Sequence, residues 1–154
     1  MTSMNFSPLG PDFDRRVRAS FARQQVMATL GIEISKLSPG VIELTMPYAA
    51  AYAQQHGFVH AGIVATALDS ACGYAAFSLM AANAGVLTVE FKTSLLAPAR
   101  GQRFLFQAQV VKPGKTLTFC EARALAEDGT AEPRLVASMA ATLMAVYDRP
   151  GITH

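Results

Sequence analysis

The sequence predicts an α+β fold: a long central helix, buried and wrapped by a curved antiparallel β-sheet. Three observations point there. Residues 61–82 (AGIVATALDSACGYAAFSLMAA) form an almost unbroken apolar run whose one charge is Asp69. Two Pro-Gly turns, Pro39-Gly40 and Pro113-Gly114, each separate segments that alternate apolar with polar residues. Finally, a chain of 154 residues with 51% hydrophobic and 16% charged residues, against roughly 25% charged in an average soluble chain, can bury a sizeable core.

The elements follow in order. Residues 1–11 carry Ser, Pro and Gly without periodicity and are expected to form a loose arm, leaving 12–154 as one domain. From Asp12 the spacing of Phe13, Val17, Phe21, Val26, Met27 and Leu30 predicts a helix, with Asp12 or Asp14 as cap and Gly31 as stop. Residues 32–37 (IEISKL) and 41–46 (VIELTM) then read as a hairpin around Pro39-Gly40. In residues 86–97, Val89, Phe91, Thr93 and Leu95 alternate with Thr88, Glu90, Lys92 and Ser94, which predicts a half-buried strand. Residues 103–112 and 115–127 form a second hairpin, and Glu127-Asp128-Gly129 turns the chain into a last strand near 134–147. These four segments read as an antiparallel meander, extended by the first hairpin.

The long apolar run is long enough to span a membrane. It is rich in Ala, Ser, Thr and Gly rather than Leu and Ile, however, and a central Asp costs about 2.5–3.5 kcal/mol on insertion scales. The amphipathic strands around it also need a core. A helix buried inside a soluble fold satisfies both.

Composition excludes several functions. A net charge of +2 with no basic run beyond Arg15, Arg16 and Arg18 gives no electrostatic footprint for nucleic acid. Cys72 and Cys120 sit in apolar segments and read as buried thiols of a reducing compartment. The opening stretch lacks an apolar run after its charges, so no signal peptide is expected and the protein is placed in the cytoplasm.

Asp69 is the residue that calls for explanation, because buried carboxylates are costly unless paired or neutralised. Its run holds no Lys, Arg or His. Helical spacing puts Gly62, Ala65, Thr66, Asp69, Gly73 and Ala76 on one face, all small around the acid. Two readings follow: a close packing contact with Asp69 at a solvated edge, or a carboxylate facing a cleft with room for a ligand. Just upstream lies the polar loop of residues 54–62 (QQHGFVHAG). A helix starting near Ala61 or Gly62 presents unpaired N–H groups at its positive end, which suit an oxyanion. An anion-stabilising terminus followed two turns later by a carboxylate supplies parts for acyl transfer.

Other constellations are absent. His56 and His60 lack the His-Glu-x-x-His pattern of a zinc site, and no metal is expected. No Gly-x-Ser-x-Gly elbow occurs. The turn Lys112-Pro113-Gly114-Lys115 is either a solvated hairpin or a place where lysines meet a phosphate at a cleft mouth.

Residues 57–70 (GFVHAGIVATALDS) resemble the His-Gly-Gly loop and central helix of hotdog-fold acyl-CoA thioesterases, of the phenylacetate-pathway (PaaI-like) type in the 4-hydroxybenzoyl-CoA thioesterase superfamily. The resemblance continues through Val89-Glu90-Phe91-Lys92, Leu96-Ala97-Pro98-Ala99-Arg100 and residues 112–117, covering about 13–147. It implies a hotdog thioesterase domain over 12–154. It also implies Asp69 as general base or nucleophile, Gln54 as the amide that positions water or the carbonyl, and His60 as the loop histidine that shapes the site. Ala61, standing where Gly is usual, becomes the oxyanion-hole N–H, with Gly62 beside it. Thr88 matches a Ser/Thr position that orients water in some relatives. Coenzyme A would run along the surface, with Lys115 and Thr116 near its phosphates, and no further cofactor is implied. The implied assembly is a homodimer whose sheets join and whose active sites straddle the interface, pairing into a homotetramer.

Two rivals stand beside this reading. A hydratase on the same fold needs an acid before its histidine, and residues 44–59 hold neither Asp nor Glu. A non-catalytic acyl-CoA-binding protein is the alternative. Met46, Tyr48, Tyr52, Phe58, Tyr74 and Phe77 are candidates either for an aromatic or medium-chain acyl pocket or for plain core.

Overall fold

Residues 4–129 and 132–152 are described by the structure, a computed structural model. Residues 4–11 contain no helix or strand; the Leu9 N–H reaches Leu79 O at 3.3 Å, and the Phe6 ring lies against Gly40. The expected first helix is two, α1 (Phe13–Arg23) and α2 (Gln25–Leu30), separated by Gln24 in an extended conformation (φ −79°, ψ 92°). Val17 of α1 and Met27 and Leu30 of α2 are buried and Phe13 and Phe21 are half-buried, so the predicted apolar stripe persists across the break except at Val26, which the break turns out to solvent. Gly31 ends α2 as predicted, with φ 66°, a left-handed value that glycine adopts without strain.

The hairpin follows as β1 (Glu33–Ser38) and β2 (Val41–Pro47). A 3₁₀ turn (Ala50–Tyr52) leads into the polar loop and then α3 (Ala61–Phe77), shorter than its apolar run because the chain turns at Ser78. The remaining strands are β3 (Ala84–Leu95), β4 (Arg103–Lys112), β5 (Leu117–Glu127) and β6 (Arg134–Tyr147).

All six strands form one antiparallel sheet in the order β1-β2-β4-β5-β6-β3. The first hairpin extends the sheet as expected, through β2 on β4. The meander holds only for β4-β5-β6: β3 pairs with β6 at the far edge, not with β4. The reason is local. β4, β5 and β6 follow one another directly and pair in sequence, β2 takes the free edge of β4, and the edge of β6 is what remains for β3. In the β4–β5 turn, a Cβ on Gly114 would come within 2.0 Å of Leu117 O, so only glycine fits.

α3 lies against the inner face of the sheet. Val64, Ala67, Leu68, Ala71, Cys72, Ala75, Ala76 and Phe77 are buried, facing Phe104, Phe106, Ala108, Val110, Ala122, Ala124 and Leu143. The alanines let helix and sheet approach closely, which is why a helix this poor in leucine can be a core. Cys72 and Cys120 are both free and buried, and burial pushes both thiols up, Cys120 to about 12. No helix among the described residues is long and apolar enough to cross a membrane.

Candidate active site

The loop and the acid occupy separate places along α3. His60 is the N-cap (φ −59°, ψ 139°), and its Nδ1 accepts the Gly62 N–H at 2.9 Å, which puts the ring proton on Nε2. The predicted loop histidine therefore shapes the helix start. Gly62, expected on the substrate side, has its N–H taken by that cap. The Ala61 N–H, first in the helix, has no acceptor among the described residues. Ala61 is not among the residues with positive φ, so alanine where glycine is usual costs no backbone strain.

Gln54 is half-buried and borders the same cavity as His60 and Ala61, a space of about 380 Å³. Its Oε1 accepts the His56 N–H. Phe58 lines the same cavity, with the Arg100 guanidinium 5.2 Å from its ring centroid.

Asp69 lies eight residues beyond Ala61, about 12 Å along the axis at 1.5 Å per residue. It is half-buried, and Thr88 Oγ1 donates to its Oδ1 at 2.8 Å. Burial pushes the carboxyl above its ordinary value, and the Thr88 bond pulls it back only in part. Strict alternation would put Thr88 on the same face as Glu90, Lys92 and Ser94. The register shift at Val89 instead pairs Thr88 with Leu143 on the inner face, toward the acid. A β-bulge of this kind re-aims a side chain and is frequent beside active sites.

A second cavity, of about 90 Å³, opens beside Asp69 and is bounded by Gln24, Ser70, Gly73, Tyr74, Val86 and Thr88. Gln24 was not singled out from the sequence. The signal was its place at 3–4 spacing between Phe21 and Met27, a polar residue in an apolar stripe.

Lys115 and Thr116 are not brought to either place within one chain. Lys115 borders a cavity with Phe6, Leu79, Met80 and Tyr147 at the C-terminal end of α3, and Thr116 is exposed. The acyl-pocket candidates divide. Met46 and Phe77 are plain core, Tyr48 and Tyr52 spend their hydroxyls on Gly57 O and Thr29 O, and Tyr74 borders the Asp69 cavity. No cluster of three or more His, Cys, Asp or Glu suited to a metal ion occurs among the described residues.

A long helix laid on one antiparallel sheet of six strands is the architecture of a hotdog fold. Residues 56–132 match the thioesterase superfamily, and the chain belongs to that family. Among solved structures it resembles a thioesterase family protein from Silicibacter pomeroyi, at 61% identity and TM-score 0.86 over 88% of this chain and 98% of that one. The PaaI protein of the E. coli phenylacetic acid degradation operon shares the fold, with TM-score 0.79 at 20% identity over 92% of this chain and 96% of that one. A protein of Halobacterium salinarum named as a candidate esterase is 34% identical over 73% of this chain and 78% of its own length. The chain is thus an enzyme of the thioesterase class.

Proposed function

We propose that the protein hydrolyses acyl-CoA thioesters as a homodimer, with Asp69 of one chain and the Ala61 N–H of the other serving one thioester. Asp69 carries this reading: a half-buried carboxylate with no cationic partner among the described residues, pushed up by burial and aimed by Thr88. A single chain cannot serve one carbonyl with both groups. Oxyanion donor and base must each lie about 3 Å from the reacting atoms, whereas these residues are about 12 Å apart along the helix.

The exposed edge of β3 supports the pairing. Along its twelve residues, alternate backbone N–H and C=O groups point outward with no neighbouring strand, and Val89, Phe91 and Leu95 are 54%, 48% and 58% exposed. Joining two such edges covers that surface and continues the sheet.

In the step itself, water attacks the thioester carbon and gives its proton to Asp69. The carbonyl oxygen takes the negative charge against the Ala61 N–H and the helix N-terminus. Collapse breaks the C–S bond, and the leaving thiolate takes back the proton held by Asp69, which releases the carboxylic acid and the thiol and restores the base. Direct attack by Asp69, followed by hydrolysis of the mixed anhydride, uses the same geometry. The Gln54 amide positions the water or the carbonyl. Lys115 and Thr116, remote from the acid in their own chain, serve the phosphates only if the partner's site reaches them.

Thiol release from a panel of short, medium, long and aryl acyl-CoAs tests the proposal. Asp69→Asn should cut turnover by a factor of about 10² or more while the protein stays folded. Near-wild-type hydrolysis by that variant would remove the acid from the mechanism. Saturable acyl-CoA binding without thiol release in the wild type would make the protein a binder instead.

A further inference from the structure

The cavity beside Asp69 has a feature that packing does not account for. Gly73 stands one turn beyond the acid in the middle of α3, where glycine is less favourable than alanine by roughly 0.5–1 kcal/mol. Close approach is the usual reason to keep such a glycine. Here a Cβ placed on Gly73 would meet nothing within 4 Å. Its neighbours along the face, Asp69 and Tyr74, line the same cavity.

The other walls are held in place. The Tyr74 hydroxyl lies 3.3 Å from Ser20 Oγ, and its ring packs on Phe21 with centroids 5.5 Å apart. The Gln24 side chain enters because the helix breaks at that residue, and its Oε1 accepts from Ser70 Oγ at 3.3 Å. Neither Pro nor Gly explains the break, and glutamine is a good helix former. A departure from local preference beside a candidate acid is where function is expected to override it.

We infer that this cavity is the acyl subsite and that the missing side chain of Gly73 sets the size of the acyl group it admits. The inference rests on the thioesterase reading above and adds the substrate class. Bounded by residues of one chain, the space is about 90 Å³, below the roughly 150 Å³ cavity that holds a benzene ring. The subsite therefore takes short, unbranched acyl groups of a few carbons, not aryl or long-chain ones.

The test measures kcat/KM for acetyl-, butyryl-, octanoyl- and benzoyl-CoA with wild type, Gly73→Ala and Gly73→Val, and follows melting and oligomeric state beside them. Wild type should prefer butyryl-CoA over octanoyl- and benzoyl-CoA. The butyryl-to-acetyl ratio should fall about tenfold or more in Gly73→Val and less in Gly73→Ala, the range that one or two carbons in a pocket command. Gly73→Ala should also melt about 2 °C higher, because the helix gains and nothing clashes. A wild-type preference for octanoyl or benzoyl groups would overturn the inference. So would an unchanged ratio, or a lower melting point with loss of the oligomer. Absence of turnover on every acyl-CoA is a different result, since it brings down the thioesterase reading and this inference with it.

Discussion

Asp69 is an expense to the folded state. A carboxyl whose folded pKa stands above its unfolded value binds more protons folded than unfolded between the two values. Its penalty is therefore absent below the unfolded pKa, grows as pH rises through the window, and is fully present above the folded pKa. Asp69→Asn should accordingly raise the melting temperature at pH 7 while turnover is lost, and the gain should vanish at a pH below the ordinary Asp range. A lower melting point at pH 7 would mean that the acid is held by interactions stronger than its desolvation. Thr88→Val removes a hydrogen bond that favours the ionised acid, so Asp69 should titrate higher still. The base form is then reached later, and the acid limb of the pH profile of kcat/KM should move to higher pH, with the loss larger at acidic than at alkaline pH. A uniform loss at all pH values would give Thr88 a different role.

At the scale of elements, much was legible in the sequence. The apolar run announced α3, the two Pro-Gly turns announced their hairpins, and Gly31 announced the end of α2. Three features were not. The break at Gln24 has no local signal strong enough to stop a helix, since tertiary contacts with Ser70 and the cavity decide it. The Val89 bulge leaves the alternation of β3 intact on either side, so the face that Thr88 takes is set by pairing with β6. The place of β3 beside β6 depends on which edges the hairpins leave free. The cap of α3 was half legible: the loop histidine was picked out, but not that its ring closes the helix by accepting from Gly62. His60→Ala should cost about 0.5–2 kcal/mol of stability in a urea titration, the range for a lost N-cap. It should also lower kcat by loosening the backbone that presents Ala61. A titration curve superimposable on the wild type would show that the cap carries no weight.

For the whole molecule, the decisive question is whether Asp69 and the Ala61 N–H that acts with it belong to one chain or two. The helix start offers a clean way to remove the N–H. Ala61 is the first residue of α3, where proline is well tolerated because that N–H has no intrahelical partner. His60 before it, at φ −59° and ψ 139°, already holds the extended conformation that a residue preceding proline prefers. Ala61→Pro should therefore fold as wild type and lose about 10²–10³ in kcat, the usual cost of one oxyanion donor. Asp69→Asn should be equally inactive alone. When the two inactive proteins are unfolded together and refolded as a mixture, a mixed dimer holds one site with both defects and one with none. With random 1:1 pairing, about half the dimers are mixed and half their sites intact, so about a quarter of wild-type activity should return. Sites contained within single chains would show no recovery, because every chain carries one defect. That outcome would refute the joined-edge dimer as the catalytic unit, however well the exposed face of β3 suits it.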